Sequence, residues 1–465
     1  MKATVVPTQC VDAAKPVSTG PVSSLRPTVP PSGLAQYRDW PFAVLFVINV
    51  LAILVVALLW GAPSLDDSQD ASTSIDVTYV GKGIGIMAAM FVVSLGLSAL
   101  MVLAILKFPA EIITFGLWTN LTLCFLVAVL GLVTGILVLV IIGGLSTALF
   151  ACYMYGVRDR LAFAAANLRV AAAALVDVKA LVPISFLLVL LQLVWTLVWF
   201  IALYGIFVQA PPASTPAVPA ILLSLSLLWG ISVLKNINVV TIAGGVASWW
   251  YGESAAPTAG ALQRATTTSL GSICLGSLLV AILQVLQQLL EMASRNGGVG
   301  ALVARCLMSC LVSLFELFSH WAFVYVGVYG NTFVQAGKAT MQLFHARGFT
   351  ALLNDELISS ALAFSAFVVA LICSGVGVAV CAIDTQATAT LVLVGLGSFF
   401  MALAVALVVL STIDGAVATV YVCFAEHPEA LGQSHPELFQ LLMRGWHAMY
   451  PDIMASAGYP LPTAT

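Results

Sequence analysis

Three ionisable side chains stand clearly inside long apolar runs, Lys235, Glu316 and Asp414, with His320 one helical turn after Glu316. A charge at the centre of a bilayer costs at least about 2.5 to 3.5 kcal/mol on insertion scales, so each is expected to face a bundle interior, a water-filled path or a partner. Two chemistries fit these residues. A lysine–carboxylate pair can lock two helices together, and an unpaired carboxylate can receive a cation. Glu316 lies ten positions inside its run. Asp414 sits late in a run of 36 residues, which as one helix is about 54 Å long and exceeds the hydrocarbon core. That places Asp414 near one mouth of the membrane, with Gly415 permitting a bend.

Aromatic residues form a second constellation. Trp195, Trp199 and Tyr204 share one run, Trp229 lies in the next, and Phe315, Phe318, Trp321 and Tyr325 share a later one, at spacings of three, four or seven that place several on one helical face. Trp40, Trp60, Trp249 and Trp250 stand near run ends, as interfacial belts do. Trp195, Trp199 and Trp229 lie deeper. Rings there either pack in the ordinary way or cage a quaternary ammonium by cation–π attraction of about 2 kcal/mol per desolvated contact. Lys235, Asn236 and Asn238, followed by Gly244 and Gly245, interrupt an apolar run. The interruption suggests either a locally broken helix offering backbone groups to a ligand or close packing through small residues.

The elements that carry these groups follow from composition. Of 465 residues, 61% are hydrophobic and only 8% charged, with a mean hydropathy of +1.07. A soluble domain carries roughly a quarter charged residues, so water is not the main solvent. A net charge of -3 leaves no polyanion-binding signature, and no nucleic-acid partner is expected. The nine cysteines show no CxxC spacing and read as buried thiols. Residues 1–40 lack an apolar core and contain Pro7, Pro16, Pro21, Pro27, Pro30 and Pro31, so they read as a disordered polar tail rather than a cleavable signal.

Apolar runs long enough to cross about 30 Å of hydrocarbon fall at 41–60, 83–106, 112–131, 135–155, 181–208, 221–249, 267–290, 306–329, 357–381 and 389–424. The unbroken stretch 112–155 is divided by a turn near Gly131 and Gly135. Continuous Leu, Val and Ala runs suit helices and not alternating strands. The fold class is therefore an all-α polytopic membrane protein, a bundle of ten transmembrane helices, with residues 425–465 as a C-terminal tail. Of the 17 basic residues, thirteen fall on the side of the N-terminus, three on the other and Lys235 within a span. This bias places both termini in the cytoplasm. The first outer loop then holds Asp66, Asp67, Asp70 and Asp76, and a cytoplasmic segment 335–356 reads as an interfacial helix or a moving gate.

Several motifs carry a resemblance. Asn238-Val239-Val240-Thr241-Ile242-Ala243-Gly244-Gly245 leading to Ala247-Ser248-Trp249-Trp250 resembles the sixth-span signature of the choline transporter-like family. Tyr325 to Phe333, then Ala336-Gly337-Lys338 and Leu353-Asn354-Asp355, are similar to further family motifs. So are Tyr421-Val422-Cys423-Phe424-Ala425-Glu426 and Pro436-Glu437-Leu438. Arg158 to Phe163 stands where the family has a basic segment, and the short first outer loop looks like the fungal and protist branch. Asn331 and His427 depart from the pattern, where a Lys and an acidic residue are common.

The resemblance implies a plasma-membrane or organellar carrier for choline or a related amine that works without ATP or another cofactor, with membrane lipids around it. No GxxxxGK[ST] phosphate loop is present. A channel and a lipid-headgroup-handling protein share the composition. An intramembrane enzyme is disfavoured, since Asp384 and Asp414 lack a GxGD context and no GxSxG or HExxH occurs. The expected substrate site draws on Trp195, Trp199, Trp229, Asn238, Glu316, Trp321, Tyr325 and Asp414. Lys235 is expected either to pair with a carboxylate or to lie away from the substrate, leaving Glu316 or Asp414 to face the path.

Overall fold

A computed structural model describes residues 37–63, 77–209, 217–252, 257–294, 299–347, 357–384, 388–451 and 454. The expected tail 1–36, the four aspartates of the first outer loop and the segment 348–356 lie outside the described residues. Ten helices are long and apolar enough to cross a membrane. They are α1 (Trp40–Val56, continued by a π-helical turn Ala57–Gly61), α2 (Val77–Lys107), α3 (Pro109–Thr134), α4 (Leu137–Val157), α6 (Leu181–Gln209), α7 (Ala217–Trp250), α9 (Leu270–Ala293), α10 (Val299–Tyr329), α12 (Leu357–Asp384) and α13 (Thr388–Glu426). Five shorter helices join or follow them: α5 (Leu161–Asp177), α8 (Pro257–Thr266), α11 (Phe333–Arg347), α14 (Pro428–Ser434) and α15 (Pro436–Met449). The described residues contain no strand.

Local chemistry explains the boundaries. Proline stands in the first turn of α1, α3, α14 and α15, where its missing N–H costs nothing and its fixed φ suits a helix start. Between α3 and α4 the chain reverses at Gly135, whose φ of 71° is a left-handed conformation that a Cβ would strain. The ten long helices expose whole apolar faces, for example Leu58, Leu132, Val133 and Leu393. Such faces suit lipid rather than water. Cys274, Cys373, Cys381 and Cys423 are buried, but Cys152, Cys306 and Cys310 lie on these outer faces, which corrects the expectation that the thiols are buried. Lipid solvates a thiol about as well as an apolar core does, so sequence hydropathy does not separate the two.

Helices α7 and α13 form the centre. α7 packs against α6, α8, α9, α10 and α13, while α13 packs against α2, α5, α6, α7, α10 and α12. Both are unbroken helices, so of the two readings of α7 the locally broken helix is not formed. Gly244 and Gly245 serve close packing instead. A Cβ on Gly244 would lie 3.0 Å from the Ala261 Cβ and 3.3 Å from the Gly327 carbonyl oxygen, and one on Gly245 would lie 2.7 Å from Leu181 Cδ2. On the facing helix a Cβ on Gly327 would come within 2.6 Å of the Ala243 Cβ. Small residues thus let α7 and α10 approach closely, as small-residue interfaces do in membranes.

The connectivity gathers α5, α8, α11, α14 and α15 at one end of the bundle, together with Arg38, whose side chain donates to the Asn331 carboxamide oxygen at 3.2 Å. This end is capped by aromatic packing. Trp250 and Trp446 are fully buried, and Trp446 stacks on Phe424 at 4.6 Å and meets Phe163 edge-on at 5.1 Å. At 39 residues, α13 is about 58 Å long. Its last turns therefore project beyond the hydrocarbon layer into this protein cap.

Candidate functional site

Asp414 on α13 gathers polar side chains from α10 and α12. The Ser359 hydroxyl, on the first turn of α12, donates to Asp414 Oδ1 at 2.7 Å. His320 Nε2, on α10, lies 3.4 Å from Asp414 Oδ2, and the two side chains keep 23% and 30% of their surface open. Lys235 on α7 is exposed. Among the described residues Lys235 forms an ion pair with neither Asp414 nor Glu316.

From this level a ladder of aromatic rings descends α10 at a spacing of four, Trp321, Tyr325 and Tyr329, all on one face. Trp321 lies 6.2 Å from Tyr421 of α13, and the two tyrosine rings of α10 lie 4.5 Å apart. At the foot stands Glu426, about 18 Å along α13 from Asp414. The Tyr325 hydroxyl donates to Glu426 Oε1 at 2.8 Å and the Tyr329 hydroxyl to Oε2 at 2.6 Å. Each carboxylate oxygen thus accepts one phenol, a charge-assisted arrangement stronger than a neutral hydrogen bond. Around Glu426 the cap is closed. The Trp250 indole donates to the His427 carbonyl at 3.1 Å, the Trp249 indole to Asp177 at 2.8 Å, and His435 stacks on Trp249 at 4.3 Å. The contact made by His427 is through its carbonyl, which any residue supplies, so its departure from the motif leaves this bond intact.

Residues 141–429, which hold both carboxylates and the ladder, match a family model described as plasma-membrane choline transporter. The chain belongs to this family. Among curated proteins, a CTL-like protein of Dictyostelium discoideum is 26% identical over 430 residues, covering 89% of this chain and 76% of that protein. Protein PNS1 of Eremothecium gossypii is 27% identical over 472 residues, covering 90% and 82%. Protein PNS1 of Cryptococcus neoformans is 31% identical over 255 residues, which span 50% of this chain and 45% of that protein.

In this member of the choline transporter family the expected site residues divide. Trp321, Tyr325 and Asp414 come together, joined by His320, Ser359, Tyr329, Tyr421 and Glu426. Trp195, Trp199 and Trp229 do not form a cage. Trp195 lies directly against Gly230, and Trp199 packs with it beside Ile53, Ala57 and Leu223 while donating to the Leu223 carbonyl at 2.9 Å. The Trp229 indole donates to the Cys274 carbonyl at 3.0 Å, with Phe46 edge-on at 5.1 Å. Their rings are spent on helix packing.

Asn238 is fully buried in a triad with Ser185 and Thr412. The Ser185 hydroxyl donates to its carboxamide oxygen at 2.8 Å, and Thr412 Oγ1 lies 2.7 Å from Ser185 Oγ. This triad ties α6, α7 and α13 together without an opening to a ligand. Glu316 stands apart from the Asp414 cluster. It is exposed on the outside of α10 and accepts from Gln284 Nε2 at 2.7 Å, so a neutral neighbour on α9, rather than the interior, satisfies it. Glu426 closes the last apolar run, where a charge reads as a boundary, and the tyrosines four apart on α10 are the sequence signal for its contacts.

Proposed function

We propose that the chain moves choline or a related small organic cation across the plasma membrane, with Asp414 as the counter-charge of the site and Glu426 as the latch of the capped end. The observation that carries this reading is the pair of carboxylates on α13, one partly exposed and one held by two phenols, with aromatic rings between them. A quaternary ammonium has no proton to donate and relies on a carboxylate and ring faces for binding. In the conformation described here Glu426 is held by both phenols. Transport then requires Tyr325 and Tyr329 to release Glu426, which favours a carrier that alternates over a continuously open channel. The expected cytoplasmic position of the cap is supported by the basic residues gathered on that side.

The test is uptake of labelled choline by proteoliposomes holding the purified chain. Saturable uptake that is lost in Asp414→Asn and kept in Glu316→Gln supports the reading. Absence of uptake by the unmodified protein, or full uptake by Asp414→Asn, overturns it. Orientation is tested by an impermeant thiol reagent on Gln433→Cys, a residue exposed on the cap. Labelling only after cells are permeabilised is expected; labelling of intact cells reverses the topology.

A further inference from the structure

A cavity of about 440 Å³ opens between the α2–α3 turn and α5, lined by Leu106, Lys107, Pro109, Glu111, Arg169, Ala172, Ala173, Val176 and Asp177. Asp414 is not among its lining residues, and it has no part in the proposed route. Its charges are of both signs. Lys107 and Arg169 are exposed cations, Glu111 is an exposed carboxylate, and none of the three forms a hydrogen bond or ion pair among the described residues. Asp177 already accepts the Trp249 indole. The cavity also sits at a defined depth, because one membrane-crossing segment ends at Lys107 and the next begins at Pro109. That is the level of the lipid headgroups. From the cavity two exposed apolar tracks run along the membrane-facing surface, Leu103 and Leu100 down α2 and Phe115 and Trp118 along α3.

We infer that this cavity binds a zwitterionic phospholipid of the adjacent leaflet. The phosphate would lie between Lys107 and Arg169, the ammonium toward Glu111, and the acyl chains along the two apolar tracks. Three features favour this occupant. A site carrying both signs matches a ligand carrying both, whereas an anionic headgroup would leave Glu111 facing negative charge. The depth matches a lipid rather than a soluble solute. The apolar tracks have no role for a free headgroup.

Native mass spectrometry of the full chain, released from nanodiscs holding equal amounts of phosphatidylcholine and phosphatidylglycerol, tests the inference. The unmodified protein is expected to retain phosphatidylcholine in excess, and Lys107→Gln and Arg169→Gln each to reduce that retention about fivefold, the effect of one basic residue at a membrane surface. Glu111→Gln is expected to turn the preference toward phosphatidylglycerol. Thermal melting of each variant, matched to the unmodified chain, separates lost binding from lost folding. Retention unchanged in both Lys107→Gln and Arg169→Gln, or a preference for phosphatidylglycerol in the unmodified protein, overturns the assignment. So does equal binding of soluble phosphocholine, which would make the acyl chains irrelevant. None of these readouts depends on choline uptake, so a failure here leaves the transport reading standing, and the reverse holds as well.

Discussion

The two halves of the bundle use similar amino acids to opposite ends. In the capped half, indole and phenol groups donate to carbonyls and carboxylates across helices, and five short helices close over the ends of α7, α10 and α13. In the other half, the first turns of α10 leave Leu302, Leu307, Leu311 and Leu314 exposed, and Trp195 and Trp199 fill a small satellite cluster against α1. Each half places a glutamate on or against α10, yet the two differ in kind. Glu316 rests on the outside against a glutamine, whereas Glu426 is gripped by two tyrosines in a closed cap. Depth within an apolar run is therefore a poor guide to which polar groups meet across helices; convergence of helices decides that.

The largest effect expected to sharpen this comparison is on transport. Loss of the charge in Asp414→Asn removes the partner of a desolvated cation, a contact worth about 2 kcal/mol or more, so choline uptake should fall roughly thirtyfold. Glu316→Gln should stay within about twofold, as expected of an exposed group. Equal losses in the two would erase the distinction between the halves.

Next comes the latch. The double substitution Tyr325→Phe and Tyr329→Phe removes both hydrogen bonds to Glu426, each worth about 1.5 to 3 kcal/mol to a charged acceptor. The cap should then open more often, and buried Cys423, three residues before Glu426, should react with a thiol reagent at least about tenfold faster in folded protein. An unchanged rate would show that the aromatic packing alone keeps the cap shut.

Packing should give smaller changes. Gly327→Ala places a methyl against Ala243 and the Val240 carbonyl in the tight crossing of α7 and α10, and should destabilise by about 1 to 3 kcal/mol in a thermal melt. Gly375→Ala on α12 meets nothing within 4 Å and should be neutral or slightly stabilising. The smallest effect belongs to Trp199→Phe. It loses the bond to the Leu223 carbonyl, about 1 kcal/mol, and should leave the KM for choline unchanged. A raised KM would return Trp199 to the substrate site.

Much of the fold was legible because hydrocarbon imposes a local rule. Every spanning residue must be apolar or satisfied within its own helix, so a window of about 20 residues reports a span directly. Ser359 at the start of α12 meets Asp414, a pairing that no single run discloses. The tryptophans were ambiguous in sequence for a definite reason. A ring deep in a helix looks the same in sequence whether its partner is a ligand or, as for Trp195, a glycine on the next helix. The double glycine of α7 was equally ambiguous, since close approach and a helix break call for the same residue.

Composition and hydropathy by themselves determined that this chain is a membrane bundle of ten helices, because transfer from water to lipid is decided residue by residue. The motifs within it pointed to its family. Only the tertiary structure decided which polar groups meet. Asp414 finds Ser359 and His320, Glu426 finds Tyr325 and Tyr329, and Glu316 finds only Gln284. Those pairings join helices far apart in the chain and depend on how each helix is turned about its axis, a quantity set by packing against several neighbours at once.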